Sequence, residues 1–292
     1  MREPIVVDTN LLREFPLPHH PSDADKEDRG LAFVIAGSPE LPGAAVLAGL
    51  GALRSGAGKL RMATCETVAL ALGIAIPEAS VIAFREDQEG CIHPEAIAPL
   101  VGRCGDAASL TLGPGMQKGV GLTSFIEALL AGGGDFPLVL DAAALGVLKP
   151  LSHYLRSWTG GSILLPHAGE MAQLLDRDRD SIQNDPLPAV RAAAAMYGSI
   201  ALIKGEWSFI ATPDGRSFRF HGGGVGLATS GSGDTLAGIV GGLAARGADA
   251  LASVLWGVYL HGEAGRLLSR QVGRIGFLAR EILNHVPRLM ET

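Results

Sequence analysis

Aromatic residues make up only 5% of this 292-residue chain and charged residues only 18%. The first scarcity removes the stacking platforms that hold single-stranded nucleic acids. The formal net charge is −6 and no Lys/Arg cluster stands out, so a nucleic-acid partner is disfavoured. Cysteine is also scarce. Cys65, Cys91 and Cys104 are odd in number and lack C-x-x-C spacing, so they read as reduced structural thiols. No stretch reaches the roughly 18 uninterrupted apolar residues of a membrane span; Arg54 interrupts the nearest candidate. The opening MREPIVVDTNLLREF lacks the apolar core of a signal peptide. A soluble, cytoplasmic protein is expected. There is no G-x-x-x-x-G-K-[ST] loop, no Rossmann fingerprint after the first strand, and no nucleophile elbow around Ser232.

What the chain does have is apolar residues (47%) and forty glycines, which suit a well-buried core and argue against disorder. Residues 1–29 end in PLPHHPSDADKEDRG and are expected to form an arm crossing the surface. Within it, His19-His20 lacks a partner at ligand spacing and is not read as a metal site. Residues 30–292 are expected to form one domain. LAFVIAG, KLRMAT, ASVIAF, SLTLGPG, PLVLDAAAL and SILLP read as strands, with helical segments such as AAVLAGLGALRSGAG and GLTSFIEALLAG between them. IALIKG, WSFIAT and SFRF follow as three consecutive strands, the last two joined by a turn at Pro213–Gly215. From Asp234 the chain is mainly helical, FLAREILNHV included. Strands alternating with helices predict a three-layer α/β/α fold with a mostly parallel sheet and a small antiparallel edge. Ligands bind such sheets beyond the carboxyl ends of the strands. Gly37-Ser38, Gly113–Gly115, Asp141, His167 and Lys204 all fall there.

The organising stretch is GGGVGLATSGSGDTLAGIVGG, residues 222–242. Ser230-Gly231-Ser232-Gly233 predicts a tight turn, and Leu236, Ile239, Val240 and Leu243 predict a buried helix starting near Asp234. The unpartnered amides and positive dipole end of such a start make an anion site, best suited to a phosphate. Asp234, the one charged residue of the run, would stand at its rim as a base. Ordinary capping needs one residue, whereas this run avoids bulk throughout, so the loop is read as built for a ligand.

Phosphoryl transfer needs donors for the equatorial oxygens, a Mg²⁺ ion and a carboxylate near the attacking hydroxyl. The Gly231–Asp234 amides and the Asp234 carboxylate supply two of these. Lys204 is either a phosphate neutraliser or a solvated surface lysine. Asp141 either orients water on Mg²⁺ or caps the next helix. His167-x-x-Glu170 reads as a helix start or polar substrate contact rather than a metal pair, and no metal ligands are assigned. His261 and Glu263 read as packing or solvent-facing.

Taken together, the motifs resemble a known family. Gly37-Ser38 with Pro42-Gly43-Ala44-Ala45, Ile76-Pro77-Glu78, Gly113-Pro114-Gly115, Pro166-His167 with Gly169-Glu170, Ile203-Lys204-Gly205, and Ala228-Thr229 with Gly231-Ser232-Gly233-Asp234 stand in the order seen in the NAD(P)H-hydrate dehydratases. These belong with the carbohydrate-kinase-like proteins of the ribokinase superfamily. The resemblance implies that hydrated NADH or NADPH is phosphorylated on its ring hydroxyl from ADP (or ATP) with Mg²⁺, after which phosphate leaves. It places Asp234 at the hydrated ring as the catalytic residue, and Ala44, Gly115 and His167 on the rest of that substrate. It places Lys204, Gly205, Glu206, Trp207 and Ser208, with Gly231, Ser232 and Gly233, on the adenine nucleotide. It also implies a homo-oligomer such as a tetramer. The chain departs from the family pattern at Asp141-Ala142-Ala143, usually D-A-D, and at Gly224-Val225-Gly226, commonly Asn-Pro-Gly. Leu165, Ala168 and Gln117 replace a usual Thr, Pro and Gly. A kinase of the same superfamily acting on a sugar or vitamin precursor is the alternative, and a nucleotide-binding protein without turnover is the third reading.

Overall fold

A run that is apolar at every position suits a strand covered on both faces, and Leu138-Val139-Leu140 shows this directly. Leu138 and Leu140 join the core on one side of the sheet, and Val139 joins the core on the other. The structure, a computed structural model, describes residues 3–88 and 90–291. Its strands are β1 (Ile5–Val6), β2 (Leu31–Ile35), β3 (Lys59–Cys65), β4 (Ala79–Phe84), β5 (Ser109–Leu112), β6 (Leu138–Leu140), β7 (Ser162–Leu164), β8 (Ile200–Ile203), β9 (Trp207–Ala211) and β10 (Ser217–His221). They form one sheet in the order β1-β10-β9-β8-β7-β6-β5-β2-β3-β4. Neighbours are parallel except where β9 meets β8 and β10. One reversed strand is thus the whole of the predicted antiparallel edge.

The longer helices are α1 (Pro42–Arg54), α2 (Glu66–Ala75), α3 (Val120–Ala131), α4 (Ala168–Leu175), α5 (Pro186–Tyr197), α6 (Ser232–Ala245) and α7 (Ala250–Gln271). They cover both faces of the sheet, the layered arrangement expected from the alternation of strands and helices. Pro42 occupies the first turn of α1, where its missing N–H would have no helical partner in any case. The helix expected over FLAREILNHV is instead two short ones, Ala279–Ile282 and Val286–Leu289. Pro287 explains the break, because it lacks an N–H and its ring crowds the preceding turn.

The lead does more than cross the surface, so position 29 does not divide the core. Ile5 and Val6 pair in parallel with Phe218 and Arg219, and Val7, Leu11 and Leu12 are buried in the core cluster that also holds Phe218 and Trp256. The Trp256 indole N–H donates to the Phe15 carbonyl at 2.7 Å.

The glycines of residues 222–242 divide between two tasks. A Cβ on Gly238 would lie 2.1 Å from the Ala48 carbonyl oxygen, and one on Gly242 would lie 2.3 Å from that of Ala52. These two glycines let α6 lie directly against α1, backbone to backbone. A Cβ on Gly241 would strike Thr111 Oγ1. The expectation that the whole run exists for a ligand is therefore too broad, since its second half serves helix packing. The contacts Leu47 with Gly231, Ala48 with Gly238 and Ala52 with Gly242 advance together along both helices. Hence α1 and α6 are parallel, and their N-termini emerge at the same end of the sheet.

Candidate active site

Strand order reverses between β2 and β5, and a crevice opens at such a switch point. The loops leaving these strands are tied together. Gly37 N–H donates to the Pro114 carbonyl at 2.8 Å, and Gly113 N–H donates to that of Ile35 at 3.2 Å. A Cβ on Gly115 (φ +63°) would lie 2.5 Å from the Ala44 Cβ. Two of the expected substrate contacts are therefore immediate neighbours, with one backbone resting on the first turn of α1.

Opposite them stands the start of α6. It begins at Ser232, earlier than the predicted Asp234, because Gly231 at φ +86° turns the chain into the helix, a conformation that L side chains resist. No side chain caps this end, so the positive dipole end is left for another anion. Lys204, just past β8, reaches the same place: a Cβ on Gly233 would lie 3.2 Å from its Nζ and 3.9 Å from Asp141 Oδ2.

Lys204 Nζ donates to Asp141 Oδ1 at 2.7 Å, and the Asp141 side chain is 3% exposed. Burial on its own would lower the lysine pKa, but Asp141, Glu170 and Asp234 outweigh it and the net shift is upward. The ammonium is therefore charged at neutral pH. Asp141 holds this cation rather than capping a helix, and its side chain makes no capping bond. The next residue, Ala142, sits at φ +49°, a left-handed conformation that costs a non-glycine residue roughly 1–3 kcal/mol. A Cβ on Gly113 would lie 1.9 Å from the Asp141 carbonyl oxygen, so close packing from β5 fixes this corner.

Asp234, in the first turn of α6, is half-buried. Burial pushes its carboxyl up to about 6; Asp141 adds to the rise, Lys204 opposes it and Glu170 reinforces it. A carboxylate tuned to that range is a competent base near neutral pH.

His167 is the N-cap of α4. Its Nδ1 accepts from the Gly169 and Glu170 amides at 3.0 and 3.1 Å, while Glu170 Oε2 accepts from His167 N at 2.9 Å. The helix-start reading of His167 and Glu170 is correct. Because Nδ1 accepts, a neutral His167 carries its proton on Nε2, on a side chain that is 60% exposed. Among the described residues no group of three or more His, Cys, Asp or Glu side chains is gathered to hold a metal.

The remaining expected nucleotide contacts are not all in this cluster. Gly205 and Glu206 are exposed on the turn leading into β9, and so is Trp207, the strand's first residue. Trp207 stacks on His221 with centroids 4.3 Å apart, and Ser208 pairs with Phe220 in the sheet. Ser232 is buried, and its hydroxyl lies 3.0 Å from His261 Nε2. Only its backbone can serve the anion site. Glu170, expected at a helix start, and His261, expected as packing or solvent-facing, each have a further part here that the sequence does not show. Glu170 contributes charge at a distance, which no spacing reveals. His261 is a buried polar residue midway along α7, and Gly257 and Gly262 on either side of it are the sequence sign of close packing there.

With this geometry in place, the comparisons with known proteins are decisive. The carbohydrate-kinase-type family model described as NAD(P)H-hydrate dehydratase matches residues 32–288. The chain belongs to the NAD(P)H-hydrate dehydratase family. An ADP-dependent (S)-NAD(P)H-hydrate dehydratase of Xanthomonas campestris is 43% identical over 286 residues, 96% of this chain and 94% of the relative. A bifunctional NAD(P)H-hydrate repair enzyme of Moorella thermoacetica is 34% identical over 274 residues, 94% of this chain and 52% of its own length. The structure of the ADP/ATP-dependent NAD(P)H-hydrate dehydratase of Bacillus subtilis, co-crystallised with ATP and Mg²⁺, is similar with a TM-score of 0.84 at 29% identity, covering 100% of this chain and 99% of that one. The NAD(P)H-hydrate dehydratase family and the ribokinase-like α/β architecture expected from the motifs are both borne out.

Proposed function

We propose that this chain is an ADP-dependent (S)-NAD(P)H-hydrate dehydratase that restores hydrated NADH or NADPH. The observation that carries the reading is one constellation: the Asp234 carboxylate, raised to about 6, on the same helix turn as Gly233, with the Lys204 ammonium beside that glycine. Asp234 accepts the proton of the ring hydroxyl as that oxygen attacks the terminal phosphoryl of ADP. The Gly233 amide and Lys204 neutralise the charge that builds on the phosphoryl oxygens. AMP leaves. The ring C–O bond then breaks with phosphate as leaving group, a ring proton departs, and the dihydronicotinamide reforms. Ala44 and Gly115 flank the ring side of the crevice, and His167 offers Nε2–H to the substrate's polar groups. Lys204 to Ser208 run along the adenine nucleotide.

Mg²⁺ binds proteins through one or two carboxylates together with substrate phosphates and waters. Asp141, whose second oxygen faces Gly233, and Glu170 fit that sparse demand. They would hold a Mg²⁺ that offsets phosphate charge. Action in the cytoplasm, as a homo-oligomer, is part of the same proposal.

Hydrated NADH incubated with the protein, ADP and Mg²⁺ should regain the absorbance band of the reduced nicotinamide. No recovery with either ADP or ATP removes the proposal. A phosphorylated product that accumulates without eliminating favours the kinase alternative.

A further inference from the structure

The buried histidine behind the catalytic turn has no part in the chemistry just described. His261 lies on α7, is 8% exposed, and places Nε2 at 3.1 Å from the Ser232 carbonyl oxygen and 3.0 Å from the Ser232 hydroxyl. A carbonyl oxygen can only accept, so the bond to it puts the imidazole proton on Nε2. The Ser232 carbonyl and the Gly233 N–H belong to one peptide group, which is planar and trans, so the two point in opposite directions. A donor that holds the carbonyl therefore keeps the Gly233 N–H directed out of the uncapped N-terminus of α6, where the anion site lies.

We propose that His261 is a positioning residue: by donating to the Ser232 carbonyl it orients and polarises the Gly233 amide for the phosphoryl group. Gly231 and Gly233 give the first turn of α6 little stiffness of their own and no side chain caps it, so a bond from a buried side chain adds to the hydrogen bonds that Thr235 makes to the Gly231 carbonyl. Polarisation along a hydrogen-bonded peptide strengthens the far N–H as a donor. The inference rests on the nucleotide reading of this site. It adds a residue that touches no substrate and acts through the backbone of another.

The test compares His261→Met, which keeps bulk and removes the donor, with His261→Gln, whose amide nitrogen can replace Nε2. Three quantities are read: calorimetric affinity for ADP, KM for the hydrate, and the Gly233 amide resonance in the protein without nucleotide. His261→Met should weaken ADP binding about tenfold or more, roughly 1.4 kcal/mol, and shift the Gly233 amide. It should leave KM for the hydrate within about twofold. His261→Gln should recover most of both changes. A merely structural role would lower Tm and raise both constants together, with no rescue by Gln in proportion to the amide shift; that result overturns the proposal. So does a Met variant that binds ADP like the wild type. Wild-type protein that binds no adenine nucleotide refutes the functional reading instead, and an unmoved Gly233 resonance in His261→Met still refutes the brace by itself.

Discussion

Lys204 and Asp141 form an ion pair of 2.7 Å that connects the end of β8 to the end of β6 across β7. Each residue looks ambiguous in the sequence, and each is explained by the other. The carboxylate keeps the ammonium charged in a buried place, and the ammonium reaches the first turn of α6. Removing one partner of a buried pair leaves the other uncompensated. Asp141→Asn is therefore expected to lower stability by about 2 kcal/mol, below the fully buried range because the lysine is partly exposed. Lys204→Met should cut kcat/KM for ADP on the order of a hundredfold. The double variant Lys204→Met/Asp141→Leu should regain stability without regaining turnover. Urea unfolding beside steady-state kinetics separates these outcomes.

Asp234→Asn is expected to lower kcat by a factor on the order of 10²–10⁴ while ADP still binds. Calorimetry with ADP, followed by turnover of hydrated NADH, is the check. A variant that keeps full activity would remove Asp234 as the base.

The same residue sets a pH dependence. With Asp234 as the proposed base, turnover requires its ionised form, so kcat/KM should fall as pH drops through about 6. Stability moves the other way. A carboxyl whose folded pKa lies above its unfolded value binds more protons when folded, so between about 4 and 6 this group loses stability as pH rises. His261, held down to about 4 mainly by burial, has the opposite slope: between about 6.5 and 4 it loses stability as pH falls. The two partly cancel in the wild type. Asp234→Asn should unmask the histidine, giving a steeper loss of Tm below pH 6 and a higher Tm at pH 7.

Gly233→Ala separates stability from function. Gly233 has ordinary helical backbone, and alanine in a helix is favoured over glycine by up to about 1 kcal/mol. Its methyl would sit 3.2 Å from Lys204 Nζ, where the proposed function puts the phosphoryl group. The variant should melt no lower than wild type yet bind ADP about tenfold more weakly, a loss of roughly 1.4 kcal/mol.

Deleting residues 1–16 should destabilise a core that the lead helps to close. It removes β1 and Leu12, and it strips the Trp256 indole of its acceptor, the Phe15 carbonyl. An unpaired buried donor alone costs about 1–3 kcal/mol. A Tm lowered by about 5 °C or more in differential scanning calorimetry is the expected result.

The central strands were readable because their residues are apolar at every position, and β2, β5 and β6 become strands buried on both faces. Asp234 was readable because a lone charge follows a glycine turn and precedes a helical apolar pattern. Contacts made far along the chain were not. The pairing of Ile5-Val6 with β10 depends on a partner more than two hundred residues away. The Ser232–His261 bond depends on two helices meeting. The packing role of Gly238 and Gly242 cannot be told from ligand accommodation until the Ala48 and Ala52 backbones are in view.

The reversal of strand order at β2 and β5 has a consequence for the polypeptide in pieces. The crevice takes Gly37 and Ala44 from the opening third of the chain, and Lys204 and Asp234 from the closing third, with sheet hydrogen bonds, α1–α6 packing and the Ser109 hydroxyl on the Gly241 carbonyl holding them in register. A nick near residue 133 would thus yield two halves, one with the proposed ring side and the other with the proposed phosphate grip. Neither could turn over substrate alone, and recovered turnover on mixing would report that the halves had found each other.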